Sequence, residues 1–222
     1  MPVTRYAATA TIPDTALAPW RDVPVSLAVD CACGARQIDP AIRPLRPAGQ
    51  QPRLFGRALT VRVVPPDFGA MLHALDIAGP GDVLCVDAGG DACTAMIGDI
   101  LSGHLRRRGV VGLVLDGAVR DVATLAEWDD FAVFARHVTP RGPTGAAAGV
   151  LNAPVTVGGA RISPGDLILG DDDGTVCLPP ATVTGGLGPV RDKVAKEADW
   201  QARLAAGESA AQVFGLIPPE SA

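Results

Sequence analysis

The 222-residue chain is 48% hydrophobic, only 4% aromatic, and carries a formal net charge of −5, with a pI near 5.1 and a mean hydropathy of +0.25. That balance excludes a sequence-independent nucleic-acid binder, which needs a basic face, and no apolar run approaches the roughly 20 residues of a membrane helix. The apolar content suffices for one sizeable core of Val, Leu, Ile and Ala. A single domain spanning 1–222 is therefore expected, its Gly and Pro being spread along the chain and not gathered into a linker.

In chain order, residues 1–22 are polar and Pro-punctuated and read as a short arm or helix, followed by helical spacing from Val25 to Cys33. Pro40, Pro44 and Pro47 enforce an extended passage. Phe55–Val64 alternates as a strand does and is stopped by Pro65-Pro66. Gly69–Ala78 reads as a helix on which His73 is expected to be packed or hydrogen-bonded. After a Gly-Pro-Gly-Asp turn, Val83–Val86 is wholly apolar, as in a strand buried on both faces. The glycines of the following Asp87–Asp91 loop do not have Gly-x-Gly-x-x-Gly spacing, which disfavours a dinucleotide or methyl-donor site.

A helix is predicted over Ile100–Arg108 and a strand over Val110–Leu115, then a glycine-containing loop carrying Arg120-Asp121. Arg106–Arg108, the only compact basic run, suits a solvated helix C-terminus. Val122–Trp128 reads as a short helix, Phe131–Ala135 as a strand, Arg136–Pro143 as extended, and Thr144–Leu151 as small and flexible. The pattern then becomes all-β: Ala153–Val157, a Gly158-Gly159 hairpin to Ala160–Ile162, Asp166–Leu169, a turn at Asp171–Gly174, and Thr175–Leu178. The three adjacent acids lack the spacing and closing Glu of an EF-hand. A helix is expected over about 190–206, ended by Gly207. Cys85 and Cys177 sit in apolar runs and read as buried, Cys31-Ala-Cys33 lacks a partner pair at zinc-site spacing, and no secretory apolar segment follows Met1, so a reducing, cytoplasmic compartment is expected.

Asp99 and Arg120 are separated by twenty residues. One helix at about 1.5 Å per residue and one returning strand at about 3.3 Å per residue fit that gap, so helix start and strand end can meet and bring Asp99, Arg120 and Asp121 to one site. A guanidinium grips a carboxylate through two hydrogen bonds, while carboxylates suit Mg²⁺ or Mn²⁺ or serve as a base. An isolated Arg-Asp dipeptide is equally an ordinary surface ion pair; its position after a glycine at a strand end favours a ligand site.

The Asp-x20-Arg-Asp spacing, together with Ala78–Leu84, Gly109–Asp121, Val133–Arg136, Val138–Pro143, Pro154–Gly159, Pro164–Leu167 and Asp171–Gly174, resembles the family that holds 4-hydroxy-4-methyl-2-oxoglutarate (HMG/CHA) aldolases and RraA-like regulators of ribonuclease E. The resemblance implies a layered α/β/β/α fold with mixed sheets that assembles as a trimer or as a hexamer of two trimers. It implies Mg²⁺ or Mn²⁺ bound directly by Asp121, with Asp99 and, from a neighbouring subunit, Glu197 acting through water. Arg120 matches the residue that holds the 2-oxo acid and stabilises the enolate. Asp99 matches an acid that helps move a proton, and Gly98, Asp99, Ile100 and Leu101 match the turn that cradles the carboxylate. The implied reaction is metal-assisted cleavage of a 4-hydroxy-2-oxo dicarboxylic acid to pyruvate, with oxaloacetate decarboxylation as related chemistry. No lysine stands at the motif, which disfavours a Schiff-base aldolase. Thr124 departs from an acid common at that position, and the resemblance equally admits a non-catalytic regulator or a metal enzyme acting on another small acid.

Overall fold

The computed structural model describes residues 2–7 and 12–217. In chain order its elements are β1 (Thr4–Arg5), α1 (Asp14–Leu17), α2 (Val25–Cys31), β2 (Arg36–Gln37), β3 (Arg43–Pro44), β4 (Leu54–Arg62), α3 (Gly69–Ile77), β5 (Asp82–Asp87), β6 (Ala95–Ile97), α4 (Asp99–Arg107), β7 (Gly112–Val119), α5 (Val122–Leu125), β8 (Ala132–Val138), β9 (Val150–Leu151), β10 (Val155–Val157), β11 (Ala160–Ile162), β12 (Leu167–Asp171), β13 (Gly174–Leu178), α6 (Pro180–Gly185), α7 (Leu187–Ala205) and α8 (Ala210–Phe214).

The main sheet runs β2-β13-β12-β4-β5-β7-β8-β3. Its centre, β4-β5-β7-β8, is parallel, and the flanking β12, β13, β2 and β3 are antiparallel to their neighbours. The parallel strands need crossovers, which α3, α4 and α5 supply. These strands are buried on both faces, so their sequences are almost uninterrupted runs of Val, Leu and Cys. One face buries Leu59, Val61, Leu84, Val86, Leu113 and Leu115 under α3 and α4. The other buries Val83, Cys85, Val114, Phe134, Ile168 and Cys177 beneath the β10–β11 hairpin. The period-2 alternation sends Leu167, Leu169, Val176 and Leu178 to a third cluster with α2, Trp20 and Val190.

Several expectations need adjusting. The short helix expected as one alternative in residues 1–22 is α1 (Asp14–Leu17), and the stretch is also tied to the body: β1 pairs with β9, and Trp20 is fully buried with its indole N–H donating to the Val183 carbonyl at 3.0 Å. Of that stretch, residue 1 and residues 8–11 lie outside the described residues. His73 is exposed on α3, because that helix turns Met71 and Ala74 to the sheet instead. The stretch 144–151 is fastened, not loose. Asp67 accepts the amides of Gly69, Ala147 and Ala148 at 2.8–2.9 Å, and Val150–Leu151 pair with β4. Those three amides hold the Asp67 carboxyl below its ordinary value. Gly158 and Gly159 both have positive φ (53° and 73°), as the two-residue hairpin between β10 and β11 requires. The Asp171–Gly174 turn joins β12 to β13. Cys85 and Cys177 are buried, and burial pushes both thiols up.

Candidate active site

The site lies at the carboxyl end of β7. That strand runs in register with β5 up to Asp116, then shifts, and Ala118 and Val119 pair with Ala95 and Ile97 of β6. The Arg120 amide extends this pairing by donating to the Ile97 carbonyl at 3.1 Å. Gly98 caps α4 immediately after β6, so the strand end and the helix start stand side by side. The helix places Asp99 in its first turn and His104, Arg106 and Arg107 in its last, matching its dipole at both ends.

Asp121 has φ 58° and ψ 36°, a left-handed conformation that Asp tolerates better than most residues and that is typical of functional positions. Its Oδ2 accepts the Asp99 amide at 3.2 Å and lies 3.4 Å from Arg120 Nε. Among the described residues no donor meets Asp121 Oδ1, and neither the Asp99 carboxylate nor the terminal nitrogens of Arg120 has a polar partner. The amides of Ile100 and Leu101, in the first turn of α4, have no intrahelical partner by geometry. A Cβ on Gly98 would stand 2.1 Å from Asp121 Oδ2, and one on Gly142 would stand 2.4 Å from Arg120 Nη1. Either side chain would therefore have to shift if these glycines carried a Cβ.

These groups border a cavity of about 280 Å³ whose walls include Phe68, Leu72, Met96, Leu101 and Pro143. Its size suits a small acid. A planar cation, free helix amides and two carboxylates converge on it. The first two bind an anion, and the carboxylates are hard oxygen donors for a divalent cation. Asp99, Arg120 and Asp121 thus meet as the spacing predicted, and Gly98, Ile100 and Leu101, named by the resemblance, border the same cavity. Gly142, Phe68, Leu72 and Pro143 were not foreseen as lining residues: Leu72 lies on α3, Phe68 just before it, and Gly142 and Pro143 in a segment that was read only as extended. Glu197 does not join the trio within the protomer. It lies on α7, paired with Lys193 at 3.2 Å, and among the described residues no group of three or more His, Cys, Asp or Glu side chains could hold a metal.

A family model described as RraA-like, Aldolase/RraA, matches residues 9–177. The chain belongs to the Aldolase/RraA family. Within that family it is 34% identical over 184 residues to a Halalkalibacterium halodurans protein provisionally named 4-hydroxy-4-methyl-2-oxoglutarate aldolase, covering 83% of this chain and 84% of the relative. A similarly named Burkholderia multivorans protein is 39% identical over 141 residues, covering 64% and 83%. Among solved structures, the RNA-processing inhibitor RraA from Thermus thermophilis superposes with a TM-score of 0.64 at 30% identity, covering 71% of this Aldolase/RraA chain and 93% of that one. Streptomyces coelicolor RraAS2, of the RNase ES inhibitor RraA family, superposes with a TM-score of 0.71 at 27% identity, covering 86% and 98%. No helix among the described residues is long and apolar enough to cross a membrane.

Proposed function

We propose that this family member is a lyase that releases pyruvate from a short 4-hydroxy-2-oxo acid with the help of Mg²⁺ or Mn²⁺. The observation that carries this reading is the convergence of Asp99, Arg120 and Asp121 on one cavity, with Asp121 Oδ2 tied to the Asp99 amide. The donor set fits a hard cation: Asp121 Oδ1 would ligate it directly, and Asp99 would hold its waters. Mg²⁺ characteristically uses one or two carboxylates and keeps several waters. Glu197, half-exposed on α7, is the acid we assign to a neighbouring copy's site in a trimeric or hexameric assembly. When bound, the cation supplies Lewis-acid polarisation of the 2-oxo group.

The chain's own residues do the rest. The substrate's C1 carboxylate docks on the Ile100 and Leu101 amides at the positive end of α4. Arg120 donates to the carboxylate and the 2-oxo oxygen and stabilises negative charge developing there. Asp99 accepts the proton of the 4-hydroxyl, directly or through water. The C3–C4 bond then breaks, its electron pair forming the enolate while C4 becomes a carbonyl. Protonation at C3 gives pyruvate. Loss of CO₂ from oxaloacetate generates the same enolate.

The test is pyruvate formation from oxaloacetate and from 4-hydroxy-2-oxo acids with Mg²⁺, with excess chelator, and with Arg120→Ala. Release that requires metal and falls about 10²–10³-fold in the variant supports the reading, by analogy with removal of an oxyanion donor. Release no faster than metal alone from every acid tried refutes it. A second reading, a binding regulator without catalysis, is favoured by the likeness to proteins named as RNA-processing inhibitors; it requires partner binding that survives Asp121→Ala.

A further inference from the structure

We infer that Asp67, to which the proposed reaction gives no part, is a positioning residue for Arg120: it ties the corner before α3 to the segment 141–149, and that segment is the wall against which the guanidinium is held. This inference rests on the lyase reading and extends it to a residue outside the cavity lining.

The segment 141–149 belongs to no helix or strand, and within the protomer none of its residues is buried. Apolar burial therefore does not hold it there, and its place is set by hydrogen bonds. At its start the Arg141 carbonyl accepts the Ala95 amide of β6 at 2.8 Å, and at its end the Ala148 and Gly149 carbonyls accept the Ala70 and Thr4 amides, each at 3.0 Å. Between these points the Thr144 amide donates to the Pro66 carbonyl at 2.8 Å, and the Phe68 amide donates to the Gly145 carbonyl at 3.3 Å.

Asp67 stands at the centre of this seam. Its Oδ1 accepts the Gly69 and Ala148 amides at 2.8 and 2.9 Å, and its Oδ2 accepts the Ala147 amide at 2.9 Å. One carboxylate thus gathers an amide of its own corner and two of the opposite segment, and hydrogen bonds to an ionised group are the stronger kind. The two chains meet at close range. A Cβ on Gly69 would stand 2.7 Å from the Ala146 carbonyl carbon, and one on Gly145 would stand 2.7 Å from Asp67 Oδ2.

The seam reaches the cavity from both sides. Phe68, next to Asp67, and Gly142 and Pro143, two and one residues before Thr144, line it together with Arg120. The Arg120 side chain is 40% exposed, and its Nε lies 3.4 Å from Asp121 Oδ2. Its other boundary is Gly142, where a Cβ would stand 2.4 Å from Nη1. A long side chain so exposed keeps much of its rotamer freedom unless walls confine it. Release of Asp67 would loosen the Gly142–Pro143 wall, and the terminal nitrogens that grip the acid in the proposed reaction would lose their fixed place.

The experiment measures Asp67→Ala and Asp67→Asn with Mg²⁺, each in the wild-type and in the Arg120→Ala background. The readouts are KM and kcat for pyruvate release from oxaloacetate, the Kd of pyruvate by calorimetry, and Tm. Asparagine keeps one oxygen for two of the amides and turns an NH₂ group toward the third. Asp67→Ala is expected to raise KM and the pyruvate Kd at least about tenfold, with a smaller change in kcat, and Asp67→Asn to raise them about threefold. In the Arg120→Ala background Asp67→Ala is expected to change kcat/KM and Kd by less than about twofold, because the group it positions is gone. A merely structural role would give neither result, since loss of folded protein lowers kcat and leaves KM and Kd alone. Unchanged KM and Kd in Asp67→Ala, or an equal rise without Arg120, overturns the inference, and persisting metal-dependent turnover then leaves the lyase reading standing. If no acid is cleaved but pyruvate binding weakens with loss of Asp67 only when Arg120 is present, the positioning role stands and the lyase reading falls. Should Asp67→Ala fail to fold, Asp67→Asn decides by the same measurements.

Discussion

Replacing Gly98 by alanine separates the geometry of the site from the stability of the fold. At φ −141° the Gly98 backbone is extended and open to any residue, so the substitution introduces no conformational strain. The added Cβ would nevertheless stand 2.1 Å from Asp121 Oδ2 and 2.9 Å from Arg120 Cγ, where ordinary contact begins at 3.4 Å. The carboxylate must therefore retreat by roughly 1.3 Å, which breaks its hydrogen bond to the Asp99 amide and turns Arg120 away from Gly142. A displacement of about 1 Å in a reacting constellation costs on the order of 10²-fold in rate, or about 2.7 kcal/mol of transition-state stabilisation. Asp121 and Arg120 are side chains at the protein surface that can move without disturbing the core, so the fold should lose no more than about 1 kcal/mol, a Tm change of about 2–4 °C. The assay is metal-dependent pyruvate release coupled to lactate dehydrogenase, with Tm measured on the same samples. Wild-type kcat/KM in Gly98→Ala would refute the proposed role of the Asp121–Arg120 contact, and a collapse of Tm would show that Gly98 serves the fold instead.

Asp121→Asn keeps a residue at ease in the left-handed conformation but removes the charge; it is expected to fold normally and lose pyruvate release by more than about 10²-fold, while Asp121→Ala should lose a further ~1 kcal/mol of stability by denaturant titration. Gly142→Ala, which crowds Arg120 Nη1, should raise KM more than it lowers kcat, as read from initial rates. Because Asp67 titrates below its ordinary value of 3.8 in the folded protein, its hold on 144–149 is fully present above about pH 3.8 and fades as pH falls through the lower folded value. Hydrogen exchange at Ala147 and Ala148 should accelerate in that range, and at every pH in Asp67→Ala. Thiol labelling of the native protein should reach Cys31, Cys33 and Cys93 and spare Cys85 and Cys177, which are buried with thiols pushed up by that burial; prompt reaction of all five would contradict the core packing.

The sequence carried the chemistry better than the walls around it. Asp99 and Arg120-Asp121 were placed together because a helix and a returning strand obey fixed rises per residue, and the structure has that helix and strand, although β7 runs on to Val119 where a loop was read after Leu115. The extension comes from β6, whose three residues Ala95–Ile97 are too few to show a period, and whose pairing with Ala118 and Val119 exists only in the folded sheet. The walls gave no sign that they line a cavity. Leu72 looked like an ordinary apolar member of a helical segment, Phe68 was not read at all, and Gly142-Pro143 looked like an extended passage. Thr144–Leu151 looked loose because its small residues say nothing of the Asp67 carboxylate that holds them from a distant part of the chain. The N-terminal stretch was read in part, as its short helix α1 shows, but the anchoring of Trp20 to Val183, remote in sequence, left no local trace.

The β6–α4–β7 unit divides labour within the molecule. Within one protomer the groups assigned to bond breaking lie between Gly98 and Asp121, and the two ends of that interval are held by parallel pairing and by one amide–carboxylate contact. The remaining boundary of the cavity comes from the start of α3 and from the segment after Arg141. On the proposed function, a change of side chain in those outer pieces, Asp67 and Gly142 apart, would alter the substrate accepted without moving the groups at the β6–α4–β7 junction. On the same proposal, one scaffold could thus take different acids through a few exchangeable residues, and loss of either end of the interval would remove the chemistry while leaving the rest of the surface unchanged.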